Sequence, residues 1–343
     1  MGSETKEIED ARLHANDTRF RPGTSDGHYE SFFVRANHPI RPLAFWIRYT
    51  IFCPRQHPQL TVGELWAIVF NGETNQHVAV KSEMPFAACS FDPSRLAIQI
   101  GQARLETGML VGEAASGGHV LQWDLRFTGD TPPLFLLPLA SYDGPQPPAK
   151  SLVARPLAVF TGSLVADGAP LQVKGWTGSQ NHNWGPRHTD HYAWGQVAGF
   201  DDGPDTMLEV VTARRRLGPL WSPFVTLLVV RRGAEEIALN SPSQMRRARG
   251  AFTPFDWHFR SATDAVRIEG HISAPSSAFV SLTYHNPPGG DKVCLNSKLA
   301  VCDLTITHRV GAAWGQPERL VARQRAAFEI LTDHPDPRVP LRV

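Results

Sequence analysis

Residues 119–127 read HVLQWDLRF, a stretch in which polar and apolar side chains alternate. From Leu121 onward, every odd-numbered residue is apolar and every residue between them is polar. A period of two predicts a β-strand that buries one face and exposes the other. The stretches 266–272 and 320–331 alternate in the same way, so we predict half-buried strands there as well.

Three other runs, residues 43–52, 64–70 and 224–230, are apolar on both faces and predict strands at the centre of a sheet. Clusters of Gly, Pro, Asp and Asn separate roughly fifteen or more strand-like segments. One short helix is predicted near Thr5–His14. Because the strands follow one another without crossover helices, we predict an all-β fold of antiparallel sheets, arranged as sandwiches or closed barrels.

The chain length of 343 residues predicts about two domains. A boundary is indicated by residues 142–150, YDGPQPPAK, which contain three prolines and a glycine. This segment is typical of an interdomain linker and equally of a long hairpin loop. We predict one domain over residues 1–145 and a second over residues 151–343, with some strands exchanged between the halves.

Charge and motifs exclude several functional classes. With 34 basic and 33 acidic residues the net charge is +1, which excludes an electrostatic nucleic-acid binder and a strongly cationic membrane-surface protein. The polar N-terminus has no secretory hydrophobic region, and the apolar runs are far shorter than the about 20 residues of a membrane span. No nucleotide-binding or zinc-protease motif occurs. We therefore expect a cytoplasmic protein without a cofactor.

The chemistry is concentrated in residues 174–202, KGWTGSQNHNWGPRHTDHYAWGQVAGFDD. In an extended chain, alternate side chains point to the same face. One predicted face carries His188, Asp190, Tyr192, Trp194 and Gln196, and an upstream face carries Trp176, Gln180, His182 and Trp184. Aromatic rings there can stack on an extended apolar ligand, while His, Asp and Gln can orient or protonate it. The alternative is that the Trp rings fill core volume and the polar groups satisfy the backbone.

Other polar residues have simpler interpretations. The donors His182, His188, Asp190 and His191 would suffice for a metal ion, but His188 and His191 point to opposite faces of an extended strand, so no metal site is predicted. Glu30 and Arg48 each interrupt an apolar strand, and we predict that they form a buried ion pair. Glu209 is predicted to be paired or on the surface.

Three motifs resemble one protein family. GSQNHNWG at residues 178–185, YAWGQVAGFDD at 192–202 and YESFFVRANHP at 29–39 are similar to segments of the carotenoid 1,2-hydratase (hydroxyneurosporene synthase) and AttH-like proteins. The resemblance implies two lipocalin-like antiparallel β-barrels. It also implies either an enzyme that hydrates an isoprenoid or cyclises a polyene, or a lipid carrier of the double-lipocalin type.

The resemblance carries His182, Asn183 and Trp184 over directly. The hydratase motif reads close to YHDHNWG, and its His–Asp pair is replaced here by Gln180 and Asn181. An amide cannot donate a proton to an alkene. Asp190 is therefore the predicted substitute acid, unless no proton is transferred at all.

Taken together, the sequence predicts a cofactor-free hydratase, cyclase or isomerase that acts on a hydrophobic isoprenoid or polyene in a barrel cavity. The predicted catalytic residues are Asp190, His182 and His188. The predicted ligand-binding residues are Trp176, Gln180, Asn181, Asn183, Trp184, Tyr192, Trp194 and Gln196. The expected partner is a hydrophobic small molecule, collected through peripheral membrane contact. Two alternatives stay open: a non-enzymatic carrier of a lipid or pigment, and a motif that only joins two barrels.

Overall fold

The computed structural model describes residues 2–343, with side chains from Lys6 onward. Over this range the chain is nearly all β and forms two curled antiparallel sheets, which confirms the predicted fold class of two lipocalin-like barrels. The chain forms two compact units. Of the described residues, the first unit contains 2–188, 283–291 and 342–343, and the second contains 189–282 and 292–341.

The first unit begins with a helix and builds one large sheet. Its helices are α1 (Gly2–Leu13) and α2 (Ala140–Asp143). Its strands are β1 (His28–Asn37), β2 (Leu43–Cys53), β3 (Val62–Asn71), β4 (Val78–Pro85), β5 (Cys89–Phe91), β6 (Ala97–Ile100), β7 (Ala103–Glu106), β8 (Met109–Ser116), β9 (His119–Thr128), β10 (Leu134–Phe135), β11 (Lys150–Ala166) and β12 (Ala169–Gly185).

The first sheet has the strand order β4-β3-β2-β1-β12-β11-β9-β8-β7-β6-β5, with β10 paired to β11. The sheet curls on itself and brings β4 next to β8, which are far apart in this order. The Ser82 hydroxyl of β4 hydrogen-bonds to the backbone of Ala115 on β8 at 3.1 and 3.2 Å. Alternate residues such as Phe32, Phe45 and Trp176 point into the apolar core inside this curl. We call the face that carries Phe32 the interior face of the first sheet.

The second unit is built from a further series of strands and one helix. The strands are β13 (His191–Phe200), β14 (Gly203–Arg214), β15 (Arg216–Leu217), β16 (Leu220–Trp221), β17 (Val225–Arg232), β18 (Glu235–Leu239), β19 (Arg249–Thr253), β20 (Asp256–Ala262), β21 (Val266–Ser273), β22 (Val280–His285), β23 (Asp291–Val310), β24 (Ala313–Trp314) and β25 (Glu318–Thr332). Residues 283–285 of β22 and Asp291 of β23 belong to the first unit. Helix α3 (Pro242–Arg247) begins at Ser241 with a capping box.

The second sheet has the order β18-β17-β14-β13-β25-β23-β21-β20-β19, with β22 and β24 paired to β23. This sheet also curls, since the indole nitrogen of Trp257 on β20 donates to the Thr212 hydroxyl on β14 at 3.1 Å. Trp257 stacks on Phe328 of β25 at 5.9 Å between ring centroids. These rings lie in the apolar core of the second unit, where a side chain at Gly195 would collide with Trp257 and Ile272.

The strands predicted from alternation are confirmed, since 119–127, 266–272 and 320–331 lie in β9, β21 and β25. The boundary predicted at residues 145–151 falls inside the first unit instead. The reason is that the two strands after the proline-rich segment join the first sheet, where β11 hydrogen-bonds to β9 and β12 hydrogen-bonds to β1. The chain passes to the second unit after His188.

Among residues 2–343, we find no helix with the length and hydropathy needed to cross a bilayer.

Candidate active site

The carboxylate of Glu30 is the centre of a buried polar cluster on the interior face of the first sheet. Glu30 lies on β1, two residues before Phe32, and is fully buried. Oε1 accepts hydrogen bonds from the backbone N–H of Arg19 at 2.7 Å and from Nε2 of His182 at 2.8 Å. Oε2 accepts from the backbone N–H of Phe20 at 2.7 Å and from Nε2 of His28 at 3.0 Å. All four contacts fit an ionised carboxylate, which only accepts hydrogen bonds.

The imidazole of His182 bridges this carboxylate and the backbone of the N-terminal segment, which we define as residues 14–20. Its Nε2 faces Glu30, and its Nδ1 lies 2.9 Å from the carbonyl oxygen of Ala15. A carbonyl oxygen and an ionised carboxylate both only accept. The hydrogen-bond pattern is therefore satisfied when both ring nitrogens carry a proton. The ring is held in place by Phe32, which stacks on it at 4.1 Å between centroids.

The electrostatics of Glu30 favour its ionised form. Burial by itself raises the pKa of this carboxyl, but the hydrogen bonds and positive charges of His182 and His28 outweigh burial and lower the pKa to about 2. Glu30 and His182 thus form a buried ion pair whose remaining lone pairs are also satisfied, the arrangement in which a buried charge is tolerated. The predicted ion pair of Glu30 with Arg48 is wrong. Arg48 lies opposite Phe33 on the other face of the sheet, where its guanidinium donates to the Ser31 hydroxyl.

Trp184 extends the cluster along the same face of β12. Its ring lies 4.5 Å from the His182 ring, measured between centroids. The guanidinium of Arg19 lies over the Trp184 ring at 5.3 Å from the ring centroid. Trp184 therefore already presents an electron-rich surface to a cation.

Gln180 lies on the same interior face of β12 as His182 and Trp184, and one of its amide atoms has no hydrogen-bond partner among the described residues. Its amide nitrogen donates to Oδ1 of Asn16 at 2.9 Å and to the carbonyl of Asn181 at 3.3 Å, which fixes the orientation of the amide. Its amide oxygen is buried and has no hydrogen-bond partner among the described residues. Buried polar atoms without a partner are rare, and one at this place indicates a position for a bound hydroxyl, water or ligand donor.

The N-terminal segment closes this cluster. Ala15, Asn16, Arg19 and Phe20 each contribute a backbone or side-chain contact to it. The segment also makes apolar contacts. Ala15 belongs to a small buried cluster with Phe135, Leu152, Ala154 and Trp184, and Ile8 and Ala11 of α1 pack against this cluster. Sequence reasoning missed this contribution because residues 14–20 have no periodic pattern.

The structure divides the predicted residues of β12 between the two faces of the sheet. Trp176, Gln180, His182 and Trp184 share the interior face, as predicted, with Trp176 packed in the apolar core beside Phe45 at 5.9 Å. Asn181 and Asn183 pair with Phe33 and Ser31 and lie on the opposite face. The amide of Asn181 donates to the Ser179 hydroxyl at 2.9 Å. Neither asparagine reaches the Glu30 cluster, because side chains alternate along a strand.

His188 lies in the connection between β12 and β13 and belongs to the first unit. Its ring stacks on Tyr29 at 4.0 Å and on Tyr284 at 5.7 Å, and its backbone N–H donates to Oδ1 of Asn286 at 3.0 Å. The extended face predicted from His188 to Gln196 begins only at His191. His188 lies three residues before this strand, so its side chain does not belong to the face that carries Tyr192, Trp194 and Gln196.

Asp190 precedes β13 and belongs to the second unit. Its carboxylate accepts the backbone N–H of Arg216 at 2.9 Å, and its carbonyl accepts from the Lys292 ammonium at 3.1 Å. These contacts hold the start of the strand.

Trp194 and Gln196 do share a face, and their common partner is Glu209. The Trp194 indole donates to one oxygen of Glu209 at 2.7 Å, and the Gln196 amide donates to the other at 2.8 Å. The prediction that Glu209 is paired is therefore confirmed. However, Gly195 between them faces the apolar core, so Trp194 and Gln196 lie on the face opposite to that core. The half-buried Tyr192 is on this opposite face too.

This opposite face of the second sheet holds a further buried polar group that the sequence did not reveal. The ammonium of Lys298 donates to Glu329 at 2.7 Å and to Oδ1 of Asn296 at 2.5 Å. Lys298 also lies 5.6 Å from the centroid of the Trp194 ring. The signal that could have indicated this group is the polar triplet NSK within the long strand β23.

Comparisons with known proteins agree with this architecture. No protein-family model matches the chain. The protein Rv0493c of Mycobacterium tuberculosis is 30% identical over 283 residues, which cover 80% of this chain and 80% of Rv0493c.

Two solved structures show the same fold. An AttH-like protein from Nitrosomonas europaea has a TM-score of 0.59 at 11% identity, covering 93% of this chain and 98% of its own. Kievitone hydratase from Nectria haematococca has a TM-score of 0.52 at 12% identity, covering 91% and 90%. These similarities support the AttH-like part of the resemblance. The chain belongs to the protein family that contains Rv0493c of Mycobacterium tuberculosis, and it has the double-barrel fold of the AttH-like proteins.

Proposed function

We propose that this protein is an acid–base enzyme of the hydratase, cyclase or isomerase kind whose active site is the Glu30–His182 pair. The observation that carries the proposal is a fully buried imidazole whose two nitrogens lie at 2.8 Å from a carboxylate oxygen and 2.9 Å from a carbonyl oxygen, two groups that accept hydrogen bonds. A buried ion pair is costly to build. The pair lies beside the Trp184 ring and the unsatisfied amide oxygen of Gln180. This combination favours a catalytic role over a purely structural one.

In the proposed reaction, Nδ1 of His182 is the acid. When the Ala15 carbonyl is displaced by substrate, the Nδ1 proton is transferred to a carbon of a double bond, and the Nδ1–H bond electrons remain on the ring. The π electrons form the new C–H bond and leave a cation on the neighbouring carbon. Water then adds to the cation and returns its proton to Nδ1, or attack by a second double bond and loss of a proton to Nδ1 give a cyclic product.

The charges around His182 suit this sequence. Glu30 holds the imidazole by Nε2 through the whole cycle and balances its charge. Trp184 offers a π surface to the developing cation, an interaction of about 0.5–2 kcal/mol or more when desolvated. In the structure the Arg19 guanidinium already occupies that surface, so the N-terminal segment places a carbonyl on the acid and a cation on the ring. Substrate would replace both.

The strength of the acid restricts the substrate class. An imidazolium is a weaker acid than a carboxylic acid by roughly 2 pKa units. It can protonate a double bond only where the resulting cation is strongly delocalised. We therefore favour a conjugated polyene, or an isoprenoid with conjugated double bonds, over an isolated alkene. The cytoplasmic location and the peripheral membrane contact for substrate pickup stay predictions.

A carrier function is the second candidate, and one specific observation favours it. The hydratase-type His–Asp pair is replaced by Gln180 and Asn181, and Asn181 points away from the Glu30 cluster. Under this alternative the interior of the first unit holds a lipid or pigment, and His182 only fixes the N-terminal segment. Extraction of the purified protein with organic solvent and mass spectrometry of the extract would identify such a cargo.

The experiment that tests the enzyme proposal follows product formation from a panel of conjugated polyenes and isoprenoids by liquid chromatography and mass spectrometry. Products would be recognised by the mass gain of one water or by an isomeric product. His182→Gln should lower turnover by about 100-fold or more, the contribution of a general acid. His119→Gln is the matched control, because His119 forms an exposed pair with Asp167 in the same unit. Full activity of His182→Gln would refute the proposal.

Asp190→Asn separates the two acids under discussion. The sequence predicts Asp190 as the acid, and in that case the substitution abolishes turnover. If His182 is the acid, the amide oxygen of the variant can still accept the Arg216 N–H, and turnover should be close to that of the unmodified protein. Recovery of every substrate unchanged, together with tight binding, would favour the carrier.

A further inference from the structure

Three side chains of types that can bind a metal ion lie together on the surface of the second unit. Asp256 and His258 are two residues apart on β20 and therefore point to the same side of the strand. His271 on β21 is the direct cross-strand partner of His258. The carboxylate of Asp256 lies 2.7 Å from Nε2 of His271 and 3.3 Å from Nε2 of His258. The two imidazole rings stack at 4.0 Å with an angle of 2° between their planes.

We propose that Asp256, His258 and His271 form a mononuclear binding site for a divalent transition metal ion. One donor atom from each side chain lies within 4.8 Å of the others. A zinc ion bonds to imidazole nitrogen and carboxylate oxygen at about 2.0–2.2 Å, so small rotations of exposed side chains bring all three donors onto one ion. Two imidazoles and one carboxylate favour Zn²⁺, Ni²⁺, Co²⁺ or Cu²⁺ over Mg²⁺ and Ca²⁺, which prefer oxygen ligands alone.

The backbone beneath the three side chains is rigid. Trp257 and Phe259 alternate with the ligands on β20 and are buried in the core. Gly270 precedes His271, and a side chain at this position would overlap the Phe259 ring, since its Cβ would lie 2.1 Å from that ring. The close fit of Phe259 against Gly270 fixes β21 on β20, and so fixes the distance between His258 and His271. A site on packed strands is preorganised for its ligand.

The ligands remain accessible. The side chains of Asp256, His258 and His271 are 50%, 67% and 38% exposed. Both histidines line a groove of about 610 Å³ that also contains Asp303 and Thr305 of β23. Asp303 is paired opposite His271 in the sheet and is bound by the Arg319 guanidinium at 2.9 and 3.0 Å. With three protein ligands, the coordination positions on the groove side are left for water or an exchangeable ligand.

A comparable group in the first unit does not satisfy the same conditions. Glu64, Glu83 and His285 also bring three donors within 4.8 Å of one another. However, the Lys81 ammonium lies 2.9 Å from Glu64 and bonds to Glu83 as well. A cation from the protein thus already neutralises these carboxylates. Among the described residues, no lysine or arginine forms an ion pair with Asp256, although Arg249 and Arg260 line the same groove.

The test is calorimetric titration of the full chain with NiCl₂ and ZnCl₂. The unmodified protein should bind one ion, and His258→Ala and His271→Ala should each weaken binding by more than the about 10- to 100-fold lost when an outer-shell partner is removed. His308→Ala, a change at an exposed histidine on β23, is the matched control and should leave affinity unchanged. With CoCl₂, the visible absorption of ligand-bound cobalt should appear in the unmodified protein and disappear in both histidine variants.

Three outcomes would overturn the proposal. The first is the absence of measurable binding to the unmodified protein. The second is equal affinity in the unmodified protein and both histidine variants, which would mean that the ion binds elsewhere. The third is loss of binding in His285→Ala alone, which would assign the ion to the group around Glu64. Each variant changes a side chain on the protein surface, and circular dichroism would verify that it folds.

Discussion

Nε2 of His182 lies 2.8 Å from Oε1 of Glu30, although the two residues are 152 positions apart in the chain. The two residues meet because β1 and β12 are antiparallel neighbours in the first sheet. Their side chains occupy adjacent positions of the interior face, and both are fully buried. The ion pair therefore depends on the register between two strands that come from distant parts of the sequence.

Replacing Glu30 by Gln should destabilise the protein strongly. The variant amide offers a single acceptor oxygen and turns N–H donors toward groups that are themselves donors, and the charge of His182 loses its counter-ion. Breaking a buried pair by removing one partner costs about 3–5 kcal/mol. Urea unfolding would measure the change in the free energy of unfolding. Glu73→Gln is the control, since Glu73 forms an exposed pair with Arg41 and should change stability little. Equal effects of the two substitutions would contradict our interpretation.

Acid should weaken the fold through Glu30. Its ordinary pKa of 4.5 applies to the unfolded chain, and the folded pKa is about 2 because His182 and His28 outweigh the effect of burial. A carboxyl with a lowered folded pKa stabilises the folded state above pH 4.5 and loses this contribution as the pH falls toward 2. The shift corresponds to about 3 kcal/mol.

The measurement is the free energy of unfolding as a function of pH. Between about pH 4.5 and 2, the unmodified protein should lose stability more steeply than the Glu30→Gln variant, which has no carboxyl to titrate at this position. Parallel curves for the two proteins over this range would show that Glu30 is not the responsible group.

Trp184→Ala should weaken the binding of a conjugated polyene by about tenfold, because the ring provides the π surface beside His182. Trp184→Phe keeps an aromatic face and should retain most of the affinity. Equilibrium binding, followed through the absorption of the polyene, would compare them. Trp314→Ala is the control in the second unit, where Trp314 lies 3.9 Å from the Arg267 guanidinium. A loss as large in Trp314→Ala would argue against a site at Trp184.

Asn16→Ala should loosen the N-terminal segment. Oδ1 of Asn16 is an acceptor for the Gln180 amide at 2.9 Å, and the substitution removes this hydrogen bond between the segment and β12. We expect faster hydrogen exchange at the amides of Arg19 and Phe20, which donate to Glu30, with unchanged exchange in the core strands. Gln99→Ala, which removes an exposed side-chain bond to Gly101, serves as control. Unaltered exchange at Arg19 and Phe20 would mean that Asn16 does not hold the segment.

The strands were predictable because their signal is local. The alternation in residues 119–127 depends only on which side chains meet water, and β9 covers that stretch completely. The same reasoning placed Gln180, His182 and Trp184 on one face of β12. The domain boundary was less predictable, since proline-rich composition marks a loop but does not reveal which sheet the next strand joins.

The composition of a face did not reveal its environment. Trp194 and Gln196 on β13 resemble Gln180, His182 and Trp184 on β12 in residue type. However, Trp194 and Gln196 lie on the face opposite to the apolar core of their unit, whereas the residues of β12 lie on the interior face of theirs. Alternation shows that two faces differ, but the curl of each sheet decides which face is enclosed.

The sequence by itself determined that this chain forms antiparallel sheets with a polar and aromatic row near residue 182, because strand patterning is written in neighbouring residues. Only the tertiary structure decided the partner of Glu30. Arg48 is much nearer in sequence and carries the opposite charge, but it projects from the other face of the sheet. His182 and the amides of Arg19 and Phe20 reach the carboxylate because sheet register and the path of the N-terminal segment bring them there.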